Sequence, residues 1–283
     1  MNPGTLYLCA TPIGNLEDMT YRAVKILQTV DVIAAEDTRH TGRLLQHFQI
    51  KTPQVSYHEH NRSSRIPELL EQLSNGKAIA LVTDAGVPGI SDPGYELVKV
   101  CVEAGITVVP IPGANAAITA LSAAGLPTDR FVFEGFLPAK GQQRRSHLES
   151  LETESRTLIF YESPHRLRET LQDLAEIFGT SRQIVIAREL TKLYEEFWRG
   201  TIEEAIAHYS QRDPQGEYTL IVAGTPPTQV QLSEEELKAE LLNIMSQGIS
   251  RSQASRQLAK VTSVPRRQLY QLALAIKIDQ QSQ

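Results

Sequence analysis

Cysteine is scarce in this 283-residue chain, which contains only Cys9 and Cys101. Both lie within apolar stretches, where a cysteine usually behaves as a small buried hydrophobic residue. The sequence therefore supports neither a disulfide framework nor a zinc site.

Long apolar runs are missing as well. No stretch approaches the roughly 18–20 apolar residues that cross a bilayer, and the first residues lack the basic-then-apolar layout of a secretion signal. With 41% hydrophobic and 22% charged residues, the composition is that of a soluble globular protein. These features predict a cytoplasmic protein without a membrane partner.

Two common nucleotide-binding signatures are also absent. The chain has no G-x-G-x-x-G after a strand and no G-x-x-x-x-G-K-[ST] loop, which argues against a Rossmann cofactor and against P-loop hydrolysis. The segment His58-Glu59-His60 invites a metal interpretation, but on a strand its successive side chains would point to opposite faces. We therefore predict no bound metal.

Acidic residues outnumber basic residues in the chain as a whole, but the C-terminal segment has the opposite balance. The formal net charge is −5, yet residues 245–283 contain six basic residues and one acid, so this segment carries +5 and the remainder −10. Such asymmetry indicates a basic surface on an acidic body, as in many nucleic-acid-binding proteins. A solvated helix face fits the charge alone equally well.

Short apolar runs alternate with helical patterns up to about Gly224, which predicts an α/β fold. Strands are predicted near residues 7–10, 32–35, 78–82, 107–111, 131–134, 157–161, 184–187 and 218–223, and helices near 21–29, 66–73, 95–104, 145–151 and 167–178. The Gly125-Leu126-Pro127 break divides this region, so we predict two tandem α/β lobes at residues 1–117 and 118–227.

The remaining segment, residues 228–283, has only helical patterns and follows the linker-like Thr225-Pro226-Pro227-Thr228. Ser233 and Glu236 form a capping-box pattern ahead of the first helix. Gly248 and Pro265 separate two further helices. Short helices joined by a glycine-containing turn predict a small helical, helix-turn-helix-like domain.

Three glycine- and proline-rich loops follow predicted strands of the first lobe, at residues 10–15, 83–94 and 110–116. Ligands bind at the carboxyl ends of strands in open α/β sheets, and glycine and proline let the backbone approach a ligand closely. A single loop of this kind is usually a tight turn. Three at one edge favour a site for a neutral-to-cationic ligand with many polar edges.

Seven ordered motifs resemble the tetrapyrrole-methylase superfamily, among them Thr-Pro-Ile-Gly-Asn-Leu at residues 11–16, Thr-Asp-Ala-Gly-Val-Pro-Gly at 83–89 and Phe-Tyr-Glu-Ser-Pro-His-Arg-Leu at 160–167. The resemblance implies two lobes of the tetrapyrrole-methylase type, with the cofactor S-adenosylmethionine in the cleft between them. The motifs are most similar to those of members that methylate a ribose 2′-hydroxyl of a decoding-centre cytidine in small-subunit ribosomal RNA.

The same resemblance implies which residues bind the cofactor: Pro12, Asp84, Ala85, Val87, Asn115, Ala116 and Tyr161. Members that act on tetrapyrroles usually have Gly-Asp-Pro where this chain has Thr83-Asp84-Ala85. The aspartate is kept, so cofactor binding is expected, whereas a tetrapyrrole substrate becomes the weaker alternative.

Methyl transfer to a hydroxyl requires in-line positioning and is helped by a base or a cation near the hydroxyl. The loops at residues 36–39 and 161–166 offer such groups, and we predict Asp37, Arg39 and Glu162 as catalytic residues. A structural ion pair or a helix cap is the alternative role for each. The residues predicted to contact RNA are Arg62, Arg144, Arg145, Arg166, Arg266 and Arg267.

Two other functions stay open at this point. A tetrapyrrole methyltransferase would use the same cofactor, and a DNA-binding regulator would use the lobes to sense a small molecule. The altered central loop and the basic tail argue against the first, and the charged loops would have no role in the second. The resemblance also implies a homodimer whose substrate is either free ribosomal RNA or the assembled 30S subunit.

Overall fold

The computed structural model describes residues 4–226, 232–262 and 264–276, with Lys260 described by its backbone alone. The chain divides into two compact units, Met1–Gly224 and Thr225–Gln283. The predicted linker at residues 225–228 and the start of the predicted domain at residue 228 lie partly outside the described residues.

The first sheet of the larger unit contains five parallel strands in the order β3-β2-β4-β1-β5. Strands β2 and β4 are buried throughout and consist of Val, Ile, Leu and Ala, as expected for parallel strands covered on both faces. The strands are β1 (Thr5–Cys9), β2 (Val32–Ala35), β3 (Gln54–Ser56), β4 (Ile79–Val82) and β5 (Thr107–Ile111). The helices that connect them are α1 (Tyr21–Thr29), α2 (Thr38–His47), α3 (Arg62–Ser74) and α4 (Tyr95–Glu103).

The second sheet is mixed and has the order β6-β7-β10-β8-β9. Its β6 and β7 are parallel, and the other neighbouring pairs are antiparallel. The strands are β6 (Phe131–Phe136), β7 (Thr157–Glu162), β8 (Gln183–Arg188), β9 (Glu196–Thr201) and β10 (Tyr218–Val222). The helices of this half are α5 (Ala116–Ala124), α6 (Gly141–Glu149), α7 (Leu167–Phe178) and α8 (Ile202–Ser210).

Helix α5 follows the last strand of the first sheet but packs against the second sheet. Its Ala117, Ala120 and Leu121 are buried in one cluster with Ile159 and Val185. The predicted lobe boundary at residues 117–118 would fall in the first turn of this helix, and the division into two domains there stays a prediction.

The smaller unit contains α9 (Glu234–Ser246), α10 (Arg251–Val261) and α11 (Arg266–Ala275). The predicted capping box is confirmed, because the Ser233 hydroxyl accepts the Glu236 amide and the Glu236 carboxylate accepts the Ser233 amide. Leu241, Leu258 and Leu269 form the core of this unit. In the described part of the chain, every helix is too short or too polar to cross a membrane.

Candidate functional site

The loops after β1 and β4 are joined to each other at the carboxyl edge of the first sheet. The amide of Thr11 donates to the carbonyl of Gly86 over 2.9 Å, and the amide of Gly86 donates to the carbonyl of Thr11 over 3.1 Å. The Thr11 hydroxyl also donates to the carbonyl of Thr83 over 3.0 Å. These bonds hold the two loops together as one wall of a site.

The loops after β2 and β4 are joined by a reciprocal pair of hydrogen bonds. The carboxylate of Glu36 accepts the amide of Asp84 over 3.2 Å, and the carboxylate of Asp84 accepts the amide of Asp37 over 3.2 Å. Burial raises the pKa of Glu36, and the negative charge of Asp84 adds to this effect. The edge of the sheet therefore carries a cluster of acids that backbone bonds hold in place.

The second lobe approaches these loops closely at two glycines. A Cβ atom at Gly14 would lie 2.4 Å from Cγ of Lys192 and 2.7 Å from the carbonyl oxygen of Leu190. Gly135, at a bulge in β6 with φ of +64°, would place a Cβ atom 3.1 Å from Oγ of Ser91. A side chain would clash at Gly14 and would be tight and strained at Gly135, so residues of the second lobe lie directly against the first-lobe loops.

Tyr161 of β7 fixes the start of α5. Its hydroxyl accepts the amide of Ala117 over 3.2 Å, and the side chain of Asn115 caps the same helix. The Tyr161 ring packs edge-on against Phe136. Burial raises the pKa of Tyr161, so the hydroxyl stays protonated at neutral pH.

A cavity of about 270 Å³ lies between the first-lobe loops and the second sheet. Concave sites that combine apolar walls with a few polar groups are the usual places of ligand binding. Six of the predicted site residues line it, namely Ala85, Val87, Asn115, Ala116, Tyr161 and Glu162. Other wall residues include Ile13, Ile90, Ser91, Asp92, Phe136, Leu190, Glu217 and Tyr218.

Two further predicted cofactor residues, Pro12 and Asp84, line a second cavity of about 190 Å³. Pro12 precedes Ile13 and Asp84 precedes Ala85 in the chain, so each loop contributes neighbouring residues to both cavities. The two cavities therefore adjoin each other along the same pair of loops. The other residues that line the second cavity are Thr11, Leu16, His40, Arg43 and Leu44.

Asp92 is a cavity residue that the sequence analysis did not select. Burial raises its pKa to about 7, and the negative charges of Glu36 and Asp84 contribute to the shift. A bound cation would relieve the repulsion among these acids and favour the ionised carboxylate. The residue belongs to the second glycine-rich loop, at residues 83–94. Its position in that loop is the feature of the sequence that could have identified it as a site residue.

Asp37 and Arg39, which were predicted to be catalytic, form an ion pair at the start of α2. Nε and Nη2 of Arg39 donate to the two carboxylate oxygens of Asp37 over 3.1 and 2.7 Å. The guanidinium holds the pKa of Asp37 well below its usual range. Asp37 is therefore a weak proton acceptor but a permanent hydrogen-bond acceptor.

The carboxylate of Glu162, the third predicted catalytic residue, is buried and fully engaged. It accepts the Thr170 hydroxyl over 2.6 Å and the Ser163 amide over 2.7 Å, and it lies 2.8 Å from Nη2 of Arg166. A carboxylate with three donors is poorly placed to take a proton from a substrate. The geometry favours the alternative role, an ion pair at the start of α7, for both Glu162 and Arg166.

The basic segment at residues 140–145 forms the N-cap and the first residues of α6. Arg144 is buried, with Nε 2.6 Å from Asp173 and Nη2 3.3 Å from Glu169. Arg145 is half-exposed and also pairs with Asp173, at 3.3 Å. Burial removes the Arg144 guanidinium from the surface, which corrects its predicted role as an RNA contact.

Residues 58–65 form a turn and the first residues of α3. Arg62 pairs with Glu59 at 2.7 Å and with Glu96 at 2.6 Å. The cation predicted to contact RNA here already has two carboxylate partners.

The segment His58-Glu59-His60 lies in that turn, so the strand geometry assumed for it was wrong. The two histidine rings are 6.0 Å apart. Within the part of the chain that the structure describes, no group of three or more His, Cys, Asp or Glu residues could hold a metal ion.

The two arginines predicted to bind RNA in the smaller unit, Arg266 and Arg267, lie in the first turn of α11 and are exposed. Arg266 donates to the hydroxyl of Ser252 over 3.0 Å. Neither arginine has a carboxylate partner among the described residues. Both side chains therefore lie at the surface without a carboxylate from the described residues against them, and Arg266 makes one hydrogen bond to a hydroxyl.

The architecture and the larger cavity define a two-lobed α/β protein that binds a small ligand at the carboxyl edge of a parallel sheet. Residues 5–206 match the family model of the tetrapyrrole (corrin/porphyrin) methylases. Residues 233–277 match a model described as the RsmI C-terminal HTH domain. The chain belongs to the tetrapyrrole methylase family.

The chain is similar over its whole length to two proteins named Ribosomal RNA small subunit methyltransferase I. The protein from Synechocystis sp. is 61% identical over 277 residues, which cover 98% of this chain and 99% of the relative. The protein from Halalkalibacterium halodurans is 51% identical and covers 95% of this chain and 94% of the relative. These matches include the C-terminal helical unit.

A solved structure shares the fold of the two lobes. It is the uroporphyrin-III C-methyltransferase from Thermus thermophilus in complex with S-adenosyl homocysteine, with a TM-score of 0.54 and 17% identity. The match covers 77% of this chain and 97% of that structure.

Proposed function

We propose that this protein transfers the methyl group of S-adenosylmethionine to the ribose 2′-hydroxyl of a cytidine in small-subunit (16S) ribosomal RNA. The observation that carries the proposal is the 61% identity, over 98% of the chain, to a relative named Ribosomal RNA small subunit methyltransferase I. The match to a helix-turn-helix model at residues 233–277 supports a nucleic-acid substrate.

The larger cavity suits this cofactor. S-adenosylmethionine carries a positive sulfonium and an ammonium group and supplies an activated methyl group when bound. Asp92 lines the cavity, with Glu36 and Asp84 close enough to raise its pKa, and this negative charge favours a cationic ligand. Val87, Ile90 and other apolar wall residues suit the less polar parts of the cofactor.

We assign cofactor contacts to the predicted residues that line this cavity, together with Asp92. Pro12 and Asp84 belong to the same loops and line the adjoining second cavity. The lining residues assigned to the cofactor are Ala85, Val87, Asn115, Ala116 and Tyr161.

The main contribution of the chain to the reaction is positioning, because the attacking oxygen, the methyl group and the departing sulfur must lie in line. The joined β1 and β4 loops provide a fixed wall for this arrangement. Asp37, held by Arg39, accepts a hydrogen bond from the ribose hydroxyl and orients it. The lowered pKa of Asp37 suits orientation better than proton abstraction.

We further propose a cytoplasmic homodimer that uses either free ribosomal RNA or the assembled 30S subunit. The support for the dimer is the resemblance to a family that is usually dimeric, and the support for the location is the ribosomal substrate. Light scattering on the purified protein gives the mass of the particle, and a monomer at micromolar concentration would contradict the dimer.

A tetrapyrrole methyltransferase is the second candidate, because the Thermus thermophilus structure shares the fold. At 17% identity that likeness supports the fold alone. The test is incubation of the protein with radiolabelled S-adenosylmethionine and, separately, small-subunit RNA, assembled subunits, a porphyrin precursor and DNA. We expect label in RNA or subunits, in a dinucleotide that resists alkaline hydrolysis because its 2′-oxygen is blocked. Label in the porphyrin precursor alone would replace our proposal with the alternative.

A further inference from the structure

The second cavity, beside Asp84, has no ligand in the function proposed above. Helix α2 contributes His40 and Arg43 to one side of it, and Pro12, Leu16 and Leu44 contribute apolar surface. The cavity thus combines a cation with an apolar wall, in a volume of about 190 Å³.

The Arg43 side chain is exposed, and its guanidinium has no ion-pair partner in the part of the chain that the structure describes. Over residues 4–226, 232–262 and 264–276, no carboxylate lies within ion-pair distance of it or of His40. Residues three apart on a helix lie on the same face, so His40 and Arg43 are neighbours. Helix α2 itself contains no Asp or Glu, so its exposed side is positive on a chain of net charge −5.

This positive surface adjoins the cavity assigned to the cofactor. The loop residues Pro12 and Asp84 line the second cavity, and their chain neighbours Ile13 and Ala85 line the first. Consecutive Cα atoms are about 3.8 Å apart. A strand with one ribose at the first cavity therefore reaches the second with an adjoining nucleotide.

We propose that the second cavity binds a phosphodiester and the adjoining sugar of the RNA strand, with Arg43 donating to the phosphate and His40 beside it. The inference rests on the proposed RNA substrate and adds a subsite to it. Guanidinium groups match phosphate oxygens in geometry and charge. The carboxylate of Asp84, one oxygen of which accepts the Asp37 amide, provides an acceptor for a sugar hydroxyl.

The test compares the full-length wild-type protein with Arg43→Ala and Arg43→Gln in methyl transfer to small-subunit RNA. We expect the KM for RNA to rise about tenfold, since one charge-assisted bond is lost. The plot of log affinity against log salt should become shallower by about 0.7–0.9. Cofactor affinity, measured by calorimetry, should stay within about twofold of wild type.

Arg22→Ala is the matched control, because Arg22 is an exposed arginine of the neighbouring helix α1 that also has no carboxylate partner among the described residues. It should leave both the KM and the salt slope unchanged. If both Arg43 variants kept the KM and the salt slope of the wild-type protein, the proposed phosphate subsite would be overturned. The proposal that the substrate is RNA would remain intact. No methylation of any RNA by the wild-type protein would instead overturn the proposed function.

Inorganic phosphate, added at constant ionic strength, separates an RNA phosphate from a free anion. We expect only weak inhibition of RNA methylation, because one ion makes a fraction of the contacts of a strand. Inhibition that saturates at micromolar phosphate and disappears in Arg43→Gln, with an unchanged KM for RNA, would assign the cavity to a free anion and overturn the proposal.

Discussion

Helices α2 and α6 carry similar basic stretches, but only one of them leaves its charge available. In α2, Arg43 is exposed and has no carboxylate partner within the described residues. In α6, Arg144 and Arg145 both contact Asp173 of α7, and Arg144 is buried. A count of basic residues gives the number of cations, whereas the acids packed against them decide which cations can bind a ligand.

The contrast between a charge that is paired within the protein and one that is available to a ligand also applies to two acids of the first lobe. The pKa of Asp37 is lowered because Arg39 lies against it, and the pKa of Asp92 is raised because burial and neighbouring acids act on it. The negative charge of Asp37 is already balanced by the guanidinium of Arg39. The repulsion around Asp92 would be relieved by a cationic ligand.

The strongest test of this comparison is Arg144→Ala. Removing one partner from a buried ion pair leaves the other charge uncompensated, so we expect the free energy of unfolding to fall by about 3–5 kcal/mol. Urea denaturation measures this change. Arg145→Ala, at a half-exposed position, is the control and should cost no more than about 1 kcal/mol. If Arg144→Ala matched the wild type in stability, the distinction between a structural and an available arginine would fail.

The next effect in size is that of Asp92→Asn on cofactor binding. Loss of a charged partner typically costs about 1.5–3 kcal/mol, so calorimetry should show roughly 10–100-fold weaker binding of S-adenosylmethionine at pH 8. The exposed Asp129 provides the control substitution, Asp129→Asn. Equal affinity of Asp92→Asn and wild type would remove Asp92 from the site.

We also expect Asp92 to make cofactor binding depend on pH. Its pKa in the free protein is raised to about 7, and a bound cation favours the ionised form. Affinity should therefore be highest above pH 7 and decrease as the pH falls through 7, because an increasing fraction of Asp92 must first lose a proton. The Asp92→Asn variant should lack this decrease, and an identical pH profile in both proteins would assign it to another group.

The smallest effect is expected in the C-terminal unit. Arg266→Ala and Arg267→Ala should each reduce the salt slope of RNA binding by about 0.7–0.9 and leave cofactor affinity unchanged. Filter binding at several salt concentrations measures the slope. Lys238→Ala is the control, because Lys238 already pairs with Glu234. Unchanged slopes would limit the available cations to the larger unit.

The sequence predicted the α/β class and the three ligand loops because both depend on local signals. Buried parallel strands such as β2 and β4 are unbroken apolar runs, and the loops carry glycine and proline. Five elements were not predicted, namely β3, β9, α2, α5 and α8. For β3 and α2 the reason is local as well. Strand β3 has three residues, and α2 is mostly polar, with a buried side formed by Thr41, Leu44 and Leu45.

The roles of individual charges were harder to predict, because their partners are distant in the chain. Arg144 meets Glu169 and Asp173, which lie 25 and 29 residues further on. The pKa of Asp92 depends on its burial and on Glu36, which follows β2 and lies 56 residues earlier in the chain, as well as on Asp84 of the same loop. Such pairings are set by tertiary structure, and spacing along the chain does not encode them.

Helix α5 has a consequence for how the larger unit folds and unfolds. It is joined to β5 of the first sheet, yet its buried alanines pack against the second sheet. A fragment that ended after α5 would expose this apolar face, and a fragment that began at Phe131 would lack the helix that covers its sheet. We therefore expect the two sheets to depend on each other for stability and residues 4–224 to melt in one cooperative transition.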